Sequence, residues 1–247
     1  MKRASVIDAQ GQPLSPCSED KARRLVQTGK AALVSEDPLV IRLAQAVQLP
    51  ERPQPEPPGR GKRMLLHICC APCATYTVRR LGEQGWEVHG YWFNPNIHPY
   101  GEHEKRRETL ARYAAEIGLP VIWEPGYAMP AFLRAIAGHE RYRERCLICY
   151  ALRLEQTARV ARERGFDAFT TTLLISPYQD QQALRRIGER AAQEFGAAFY
   201  FENLRRGFAE HHRLAEEHNL YRQRYCGCIY SEWEAQDRRA STRATNE

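Results

Sequence analysis

No stretch of this chain comes near the roughly 18 to 20 consecutive apolar residues that cross a bilayer, so a membrane partner is not expected. The opening "MKRASVIDAQGQP" lacks the apolar core of a secretory signal, and the expected compartment is the cytoplasm. Cysteine is too sparse for a disulfide scaffold, at eight in 247 residues. No internal repeat is present. Charge of one sign is also modest: a formal net charge of +6 permits a nucleic-acid partner without demanding one. What remains, 43% hydrophobic and 27% charged residues, is the composition of an ordinary globular protein. The length suits one large domain, or a medium one with a small companion.

The few cysteines are not scattered. Seven of the eight fall into three groups: Cys69, Cys70 and Cys73; Cys146 and Cys149; Cys226 and Cys228. In a reducing compartment such grouping points to metal, cluster or redox chemistry. Cys17 stands alone and suits a small buried apolar role.

Residues 50–62, "PERPQPEPPGRGK", hold five prolines, two glycines and no aliphatic side chain, so they read as a semi-extended linker. Ahead of it, residues 1–49 form a small α+β unit. "SVID" and "LVIRL" read as strands, and "EDKARRLVQTG" reads as a helix with Ser18 at its N-cap and Gly29 at its stop. Behind it, over 63–235, strand and helix patterns alternate: "RMLLHIC", "ATYTVRRLGEQG", "EVHGYWFN", "EHEKRRETLARYAAEIG", "LPVIWEP", a helix from about Cys146 to Gly165, "AFTTTLL", "QQALRRIGERAAQEFG" and "AAFYFE". That order predicts an α/β fold, a parallel sheet flanked by helices with ligands at the carboxyl ends of its strands. Residues 236–247, "QDRRASTRATNE", read as a disordered tail.

On this frame "HICCAPCATY" sits where the first core strand gives way to a helix, whose N-terminus favours a thiolate. In a straight strand Cys69 and Cys70 point to opposite faces, so one site can use both only if the chain turns there. In "RCLICYALRL" the spacing of Cys146 and Cys149 brings both sulfurs to one side of a helix start. Together the two pairs make four thiolates, which suit a structural zinc or a 4Fe-4S cluster equally well. In "RYCGCIYSEW", Gly227 lets the backbone bend between Cys226 and Cys228. The pair reads as a redox dithiol, or else as two more metal ligands.

Other polar residues gather at the same predicted edge. Asn94, Asn96 and His98 lie between prolines and could hold a polar heterocycle or ribose. Thr171, Thr172 and Ser176 follow a later strand. Beyond them Tyr178 and Asp180 could donate protons, although an Asp at that place also caps a helix. Tyr221, Arg222, Arg224 and Tyr225 interleave rings and guanidinium groups, a pattern that stacks on unpaired bases or simply builds a core face. His67, inside an apolar strand, reads as a hydrogen-bonded core residue.

The motifs "LLHICCAPC", "FNPNIHP", "RCLICYALRL", "FTTTLLISPYQD" and "YRQRYCGCIYS" make residues 63 to about 233 resemble the QueH family of epoxyqueuosine reductases. Residues 6–43 resemble an RRXRR-type N-terminal domain, found on some RNA-guided nucleases, which implies nucleic-acid contact through Arg23, Arg24 and Lys30. One departure is visible: Glu102-His103 stands where the family more often shows Glu-Tyr.

The family resemblance implies a Rossmann-like sheet of the adenine-nucleotide α-hydrolase kind, with CCAPC in place of the nucleotide-binding glycine loop. It implies the last step of queuosine biosynthesis: two-electron reduction of epoxyqueuosine in the anticodon loop of a tRNA, with loss of water. It also implies a 4Fe-4S cluster, allows an adjacent mononuclear iron, and requires an electron donor the sequence does not identify. On this reading Cys69, Cys70, Cys146 and Cys149 hold the cluster, and Cys73 supports it or binds the extra iron. Cys226 and Cys228 are then the redox pair, with Asp180 and Tyr178 as acids. Asn94, Asn96, His98, Thr171, Thr172, Ser176, Tyr221, Arg222 and Arg224 contact the substrate. Two other readings compete: a structural-zinc RNA-binding module, and a metal-free thiol oxidoreductase.

Overall fold

The computed structural model describes residues 3–11, 13–45 and 58–244, with the side chains of residues 15 and 238–244 left aside. The chain divides into two compact units, Met1–Pro55 and Glu56–Glu247. Most of the expected linker, residues 50–57, lies outside the described residues.

In the first unit, β1 (Arg3–Ile7), β2 (Pro13–Ser18), β3 (Ala31–Glu36) and β4 (Leu39–Leu43) form a sheet in the order β2-β1-β4-β3. Alternation sends Ala4 and Val6 of β1 inward, where they meet Ile41 of β4 and Ala22 of α1 (Glu19–Gln27). The Ser18 side chain accepts from the Lys21 backbone N–H at 3.4 Å, capping α1 as expected. Cys17 is half-buried and packs on this cluster. Strands β2 and β3 went unread for a physical reason. Both are edges of the sheet, where Pro13 and Pro16 cost no ladder bond and a strand needs little apolar alternation.

The second unit carries β5 (Lys62–His67), β6 (Trp86–Trp92), β7 (Val121–Trp123) and β8 (Ala168–Thr171) in an all-parallel sheet ordered β7-β6-β5-β8. Its helices are α2 (Ala71–Glu83), α3 (Tyr100–Ile117), α4 (Met129–Ile136), α5 (Glu144–Glu163), α6 (Gln181–Phe195), α7 (Phe208–Glu217) and α8 (Ile229–Ala244). Period-two alternation in β5 builds a core on each face. Leu65 packs with Leu154 and Ala158 of α5 and Leu184 of α6, while Met64 and Leu66 pack with Leu110 and Ala114 of α3. The helices therefore cover both sides of the sheet. His67 pairs in register with Tyr91 on one side and Thr171 on the other, so three strands end at one edge.

Three expectations are corrected. "AFTTTLL" is a strand only as far as Thr171 and then a 3-10 turn over Thr172–Ile175, because the Thr171 hydroxyl accepts from the Leu173 N–H and takes it from the ladder. "AAFYFE" consequently contributes a single parallel bridge, Phe199 to Phe169, rather than a strand. The segment from residue 236, expected as a disordered tail, is helical to Ala244. It continues α8, whose Ala, Arg and Gln residues favour helix.

Candidate metal centre and active site

The end of β5 delivers the first thiols. After His67 the chain turns, and Cys70 becomes the N-cap of α2 with extended backbone (φ −168°) while Cys73 lies in the helix's first turn. That turn aims the sulfurs of Cys69, Cys70 and Cys73 at one another, all within 4.8 Å. Among the described residues this is the single group of three or more ligating side chains so close together, and it could hold a metal. Thr172, entering from the end of β8, accepts from the Cys69 N–H at 3.1 Å and donates its hydroxyl to the Cys69 sulfur at 3.3 Å. Gln223 donates to the Cys70 sulfur at 3.0 Å. Hydrogen bonds from Cys70, then Cys73, with Thr172 adding to them, hold the Cys69 thiol well below its usual range against the opposing effect of burial. Burial first, and then the neighbouring Cys69, push Cys70 up. The trio thus carries one thiolate readily and more only with a compensating cation.

Helix α5 supplies that cation and two further thiols. Cys146, Cys149 and Arg153 are three and then four residues apart, which places them along one helix face. Cys146 is half-buried against the apolar cluster that contains Cys70 and Cys73, whereas Cys149 packs with Cys228, Phe132 and Ile136. Burial pushes the Cys149 thiol up to about 12, and the Arg153 guanidinium opposes it. Arg153 is itself 2% exposed. Its Nε donates to the Cys149 carbonyl at 3.1 Å, and its Nη2 has no hydrogen-bond partner among the described residues. It lies within electrostatic reach of Cys149, Cys226 and Cys69 together. A buried cation with an orphaned N–H beside this many sulfurs is an environment shaped for negative charge.

The third pair is held by its backbone. Arg106 of α3 donates from Nη1 to the Cys226 carbonyl at 3.0 Å and from Nη2 to the Tyr225 carbonyl at 3.1 Å, while its Nε pairs with Glu102 at 2.7 Å. Gly227 takes φ +154°, and a Cβ there would stand 3.0 Å from the Asn96 Nδ2. The His98 N–H donates to the Gly227 carbonyl at 2.8 Å. Its ring nitrogen Nδ1 receives the Ile229 N–H at 3.4 Å, and the Tyr225 hydroxyl donates to the His98 carbonyl. The result is asymmetric: Cys226 is exposed and Cys228 is buried, and both are free thiols.

Several residues expected to contact substrate have partners within the fold. Asn94 is buried and donates to the Ile68 carbonyl at 2.8 Å, and the side-chain oxygens of Asn94 and Asn96 have no partner among the described residues. Thr171 bonds the His67 ring at 2.9 Å; burial lowers that buried histidine to about 4, so it stays neutral in the core. The Ser176 hydroxyl accepts from the Tyr178 N–H at 3.3 Å. The Tyr221 hydroxyl donates to Glu102 at 2.7 Å, and Arg222 is engaged by Glu216 and His212. Arg224 is exposed. His103, at the departure from the family pattern, is buried with its ring 4.5 Å from that of Tyr127.

Asp180 caps α6, its Oδ1 accepting from the Ala183 N–H at 3.0 Å. It also lines, with Tyr178 and Cys146, a cavity of about 620 Å³. Gln179 connects that cavity to the third pair. Its amide oxygen accepts from the Tyr150 hydroxyl at 2.6 Å, and its Nε2 donates to the Cys226 sulfur at 3.6 Å.

The thiols are not equally close. Cys73 stands inside the tight trio, while Cys146 and Cys149 lie outside its 4.8 Å limit. Arg153, Arg106, Gln179 and Gln223 were not singled out from the sequence. The spacing Cys146-Cys149-Arg153 is a readable signal for the first. Neither glutamine carries any local signal.

Comparison with known proteins bears on the second unit above all. The family model described as "Epoxyqueuosine reductase QueH" matches residues 64–234, and one described as "RRXRR protein" matches residues 4–56. The chain is 40% identical over 172 residues to an epoxyqueuosine reductase QueH of Dehalococcoides mccartyi, covering 70% of this chain and 93% of that protein. With the namesake from Thermotoga maritima it shares 34% identity, covering 72% and 94%. Among solved structures, a U34-tRNA thiolase NcsA from Methanococcus maripaludis with its 4Fe-4S cluster aligns at TM-score 0.47 and 15% identity, covering 92% of this chain and 74% of that one.

Proposed function

Since this chain belongs to the QueH family of epoxyqueuosine reductases, we propose a division of labour among its thiols in removing the epoxide oxygen of epoxyqueuosine in tRNA. The observation that carries it is the convergence of the Cys69, Cys70 and Cys73 sulfurs within 4.8 Å at the carboxyl edge of a parallel sheet. The strand order β7-β6-β5-β8, third-second-first-fourth along the unit, matches the first four strands of a doubly wound sheet, which supports the Rossmann-like reading, with CCAPC where a nucleotide loop would stand.

The donor set and its charge fit a 4Fe-4S cluster. Soft thiolates abound, and Arg153, buried with a free N–H, and Arg106, 1% exposed, offset the negative charge such a cluster carries. Ligands are drawn from Cys69, Cys70, Cys146 and Cys149, with Cys73 close enough to share in holding it or an adjacent iron. When bound, such a group supplies electrons one at a time. Reduction of the epoxide to an alkene and water consumes two electrons and two protons. Oxidation of the Cys226–Cys228 dithiol to a disulfide releases the same number of each, so the pair balances the reaction. An external donor then restores the thiols. Cys226, exposed, faces substrate; Cys228, buried beside Cys149, faces the ligand set. Asp180 and Tyr178, on the cavity wall with Cys146, are placed to pass a proton to the leaving oxygen.

The substrate reading is the anticodon loop, and the compartment is the cytoplasm. Among the described residues, no helix is long and apolar enough to cross a membrane. The test is direct. The anaerobically purified chain, given a chemical reductant and tRNA carrying epoxyqueuosine, yields on nucleoside mass analysis a product lighter by one oxygen atom. An unchanged nucleoside would refute the activity.

A further inference from the structure

The cavity beside Cys146 has features that proton transfer does not use. Two tyrosines stand at it largely exposed: Tyr142, 58% exposed, with the Arg145 guanidinium 5.8 Å from its ring centre, and Tyr178, 76% exposed and edge-on to Phe208 at 6.2 Å, so each ring keeps an open face. Large rings left open to water at the mouth of a cavity are positioned for a flat partner. Three arginines share the lining, Arg143, Arg186 and Arg205. Arg143 and Arg186 have no ion pair or side-chain hydrogen bond among the described residues, whereas Arg205 donates to the Gln179 carbonyl at 2.8 Å and is thereby aimed along the wall. Arg143 is at the N-cap of α5 with φ +77°, a left-handed backbone that a non-glycine side chain adopts only at a cost.

At about 620 Å³ the space lies within the range of small-ligand pockets. Cys146 lines it, and Gln179, hydrogen-bonded to the Cys226 sulfur, forms part of its wall. By contrast, Tyr221 and Arg222 of the basic aromatic run are already engaged, and Arg224 beside them is exposed. The Tyr221 ring is covered by the Lys105 ammonium at 3.9 Å, and Arg222 is bonded to Glu216 at 2.6 Å. Exposed rings, unpaired guanidinium groups and a route to a reactive thiol occur together around the cavity.

We infer that this cavity seats an unpaired nucleotide of the tRNA, with the rings of Tyr142 and Tyr178 as its stacking faces and Arg143, Arg186 and Arg205 as ligands to its phosphates. The inference rests on the reductase reading above and adds to it the surface that holds the RNA. A base has a π-face whatever its identity, so the rings supply affinity; the arginines fix the backbone while the modified base reaches inward.

The test uses the full chain and a fluorescein-labelled anticodon stem-loop RNA with guanosine at the first anticodon position. Binding is followed by anisotropy over a series of salt concentrations. Replacing both rings (Tyr142→Ala with Tyr178→Ala) weakens binding by at least about 5-fold and up to about 150-fold, the effect of losing one stacked base. The paired Tyr142→Phe, Tyr178→Phe variant stays within about twofold of the unaltered chain, since stacking needs the ring and not the hydroxyl. Each of Arg143→Gln and Arg186→Gln lowers the slope of log affinity against log salt by about 0.7. The control Arg190→Gln removes an exposed α6 arginine paired with Glu155 and leaves that slope unchanged.

Unaltered affinity in the double alanine variant would overturn the inference, as would an equal loss in the phenylalanine variant or no binding by the unaltered chain. The two readings fail separately. A chain that binds the loop through these residues but never reduces epoxyqueuosine refutes the reductase activity alone. A chain that reduces it while the variants bind normally refutes the cavity assignment alone.

Discussion

Cys70→Ser empties the metal centre: iron per chain falls to background, and turnover of epoxyqueuosine drops by more than about 100-fold, beyond the 10- to 100-fold typical of losing only a supporting contact. The residue sits where the strand-to-helix turn must deliver sulfur. It is 1% exposed, its Sγ lies 3.8 Å from that of Cys69, and it caps α2, whose free N–H groups favour an anionic ligand. Serine keeps the volume but offers a hard oxygen that stays protonated, so it neither binds iron as thiolate does nor strains the fold. Unchanged far-ultraviolet circular dichroism separates loss of ligand from loss of structure. Cys17→Ser, in the other compact unit, keeps its iron. Iron retained at the unaltered level in Cys70→Ser would remove Cys70 from the ligand set.

The second large effect has the opposite signature. Cys226→Ser retains its iron, yet multiple turnovers with an external electron donor fall at least about 100-fold, because a single remaining sulfur cannot form the disulfide. The loop itself survives the change. Arg106 grips the carbonyls of Tyr225 and Cys226 and the His98 N–H holds the Gly227 carbonyl, and none of these contacts involves the Cys226 side chain. In the proposed division of labour Cys226, exposed beside a buried Cys228, is the sulfur assigned to meet substrate. Iron content measured beside turnover decides the matter. Loss of iron in Cys226→Ser would place that sulfur among the ligands and move the redox role elsewhere.

How much of this was legible in the sequence depends on whether the cause was local. The continuous apolar run Met64, Leu65 and Leu66 was readable as a core strand, because a parallel strand covered on both faces has no polar side to alternate with. Ser18 and Asp180 were readable as caps for the same reason: a cap bonds three residues ahead. The "CCAPC" turn, with Pro72 in the first helical turn, announced the junction at which the sulfurs meet.

Non-local causes were not legible. Phe199 meets Phe169 from thirty residues away, and whether six residues make a strand or one bridge depended on how early Thr171 ended β8. Short helices α4 and α7 gave too little periodicity to stand out. The same holds at the site. Spacing grouped the thiols into pairs but could not tell that Cys73 would join Cys69 and Cys70 while Cys149 packed beside Cys228. Gln223 reaches the Cys70 sulfur across 153 positions, a contact only the fold creates.

Everything in the mechanism depends on iron held by cysteine sulfur. The most direct measurement is iron, sulfide and zinc content of the anaerobically purified full chain, with its absorbance recorded before and after dithionite. A brown protein with about four iron atoms and four sulfides per chain, and a broad absorbance that bleaches on reduction, is the predicted result. A colourless protein carrying one zinc and no sulfide, indifferent to dithionite, would contradict it.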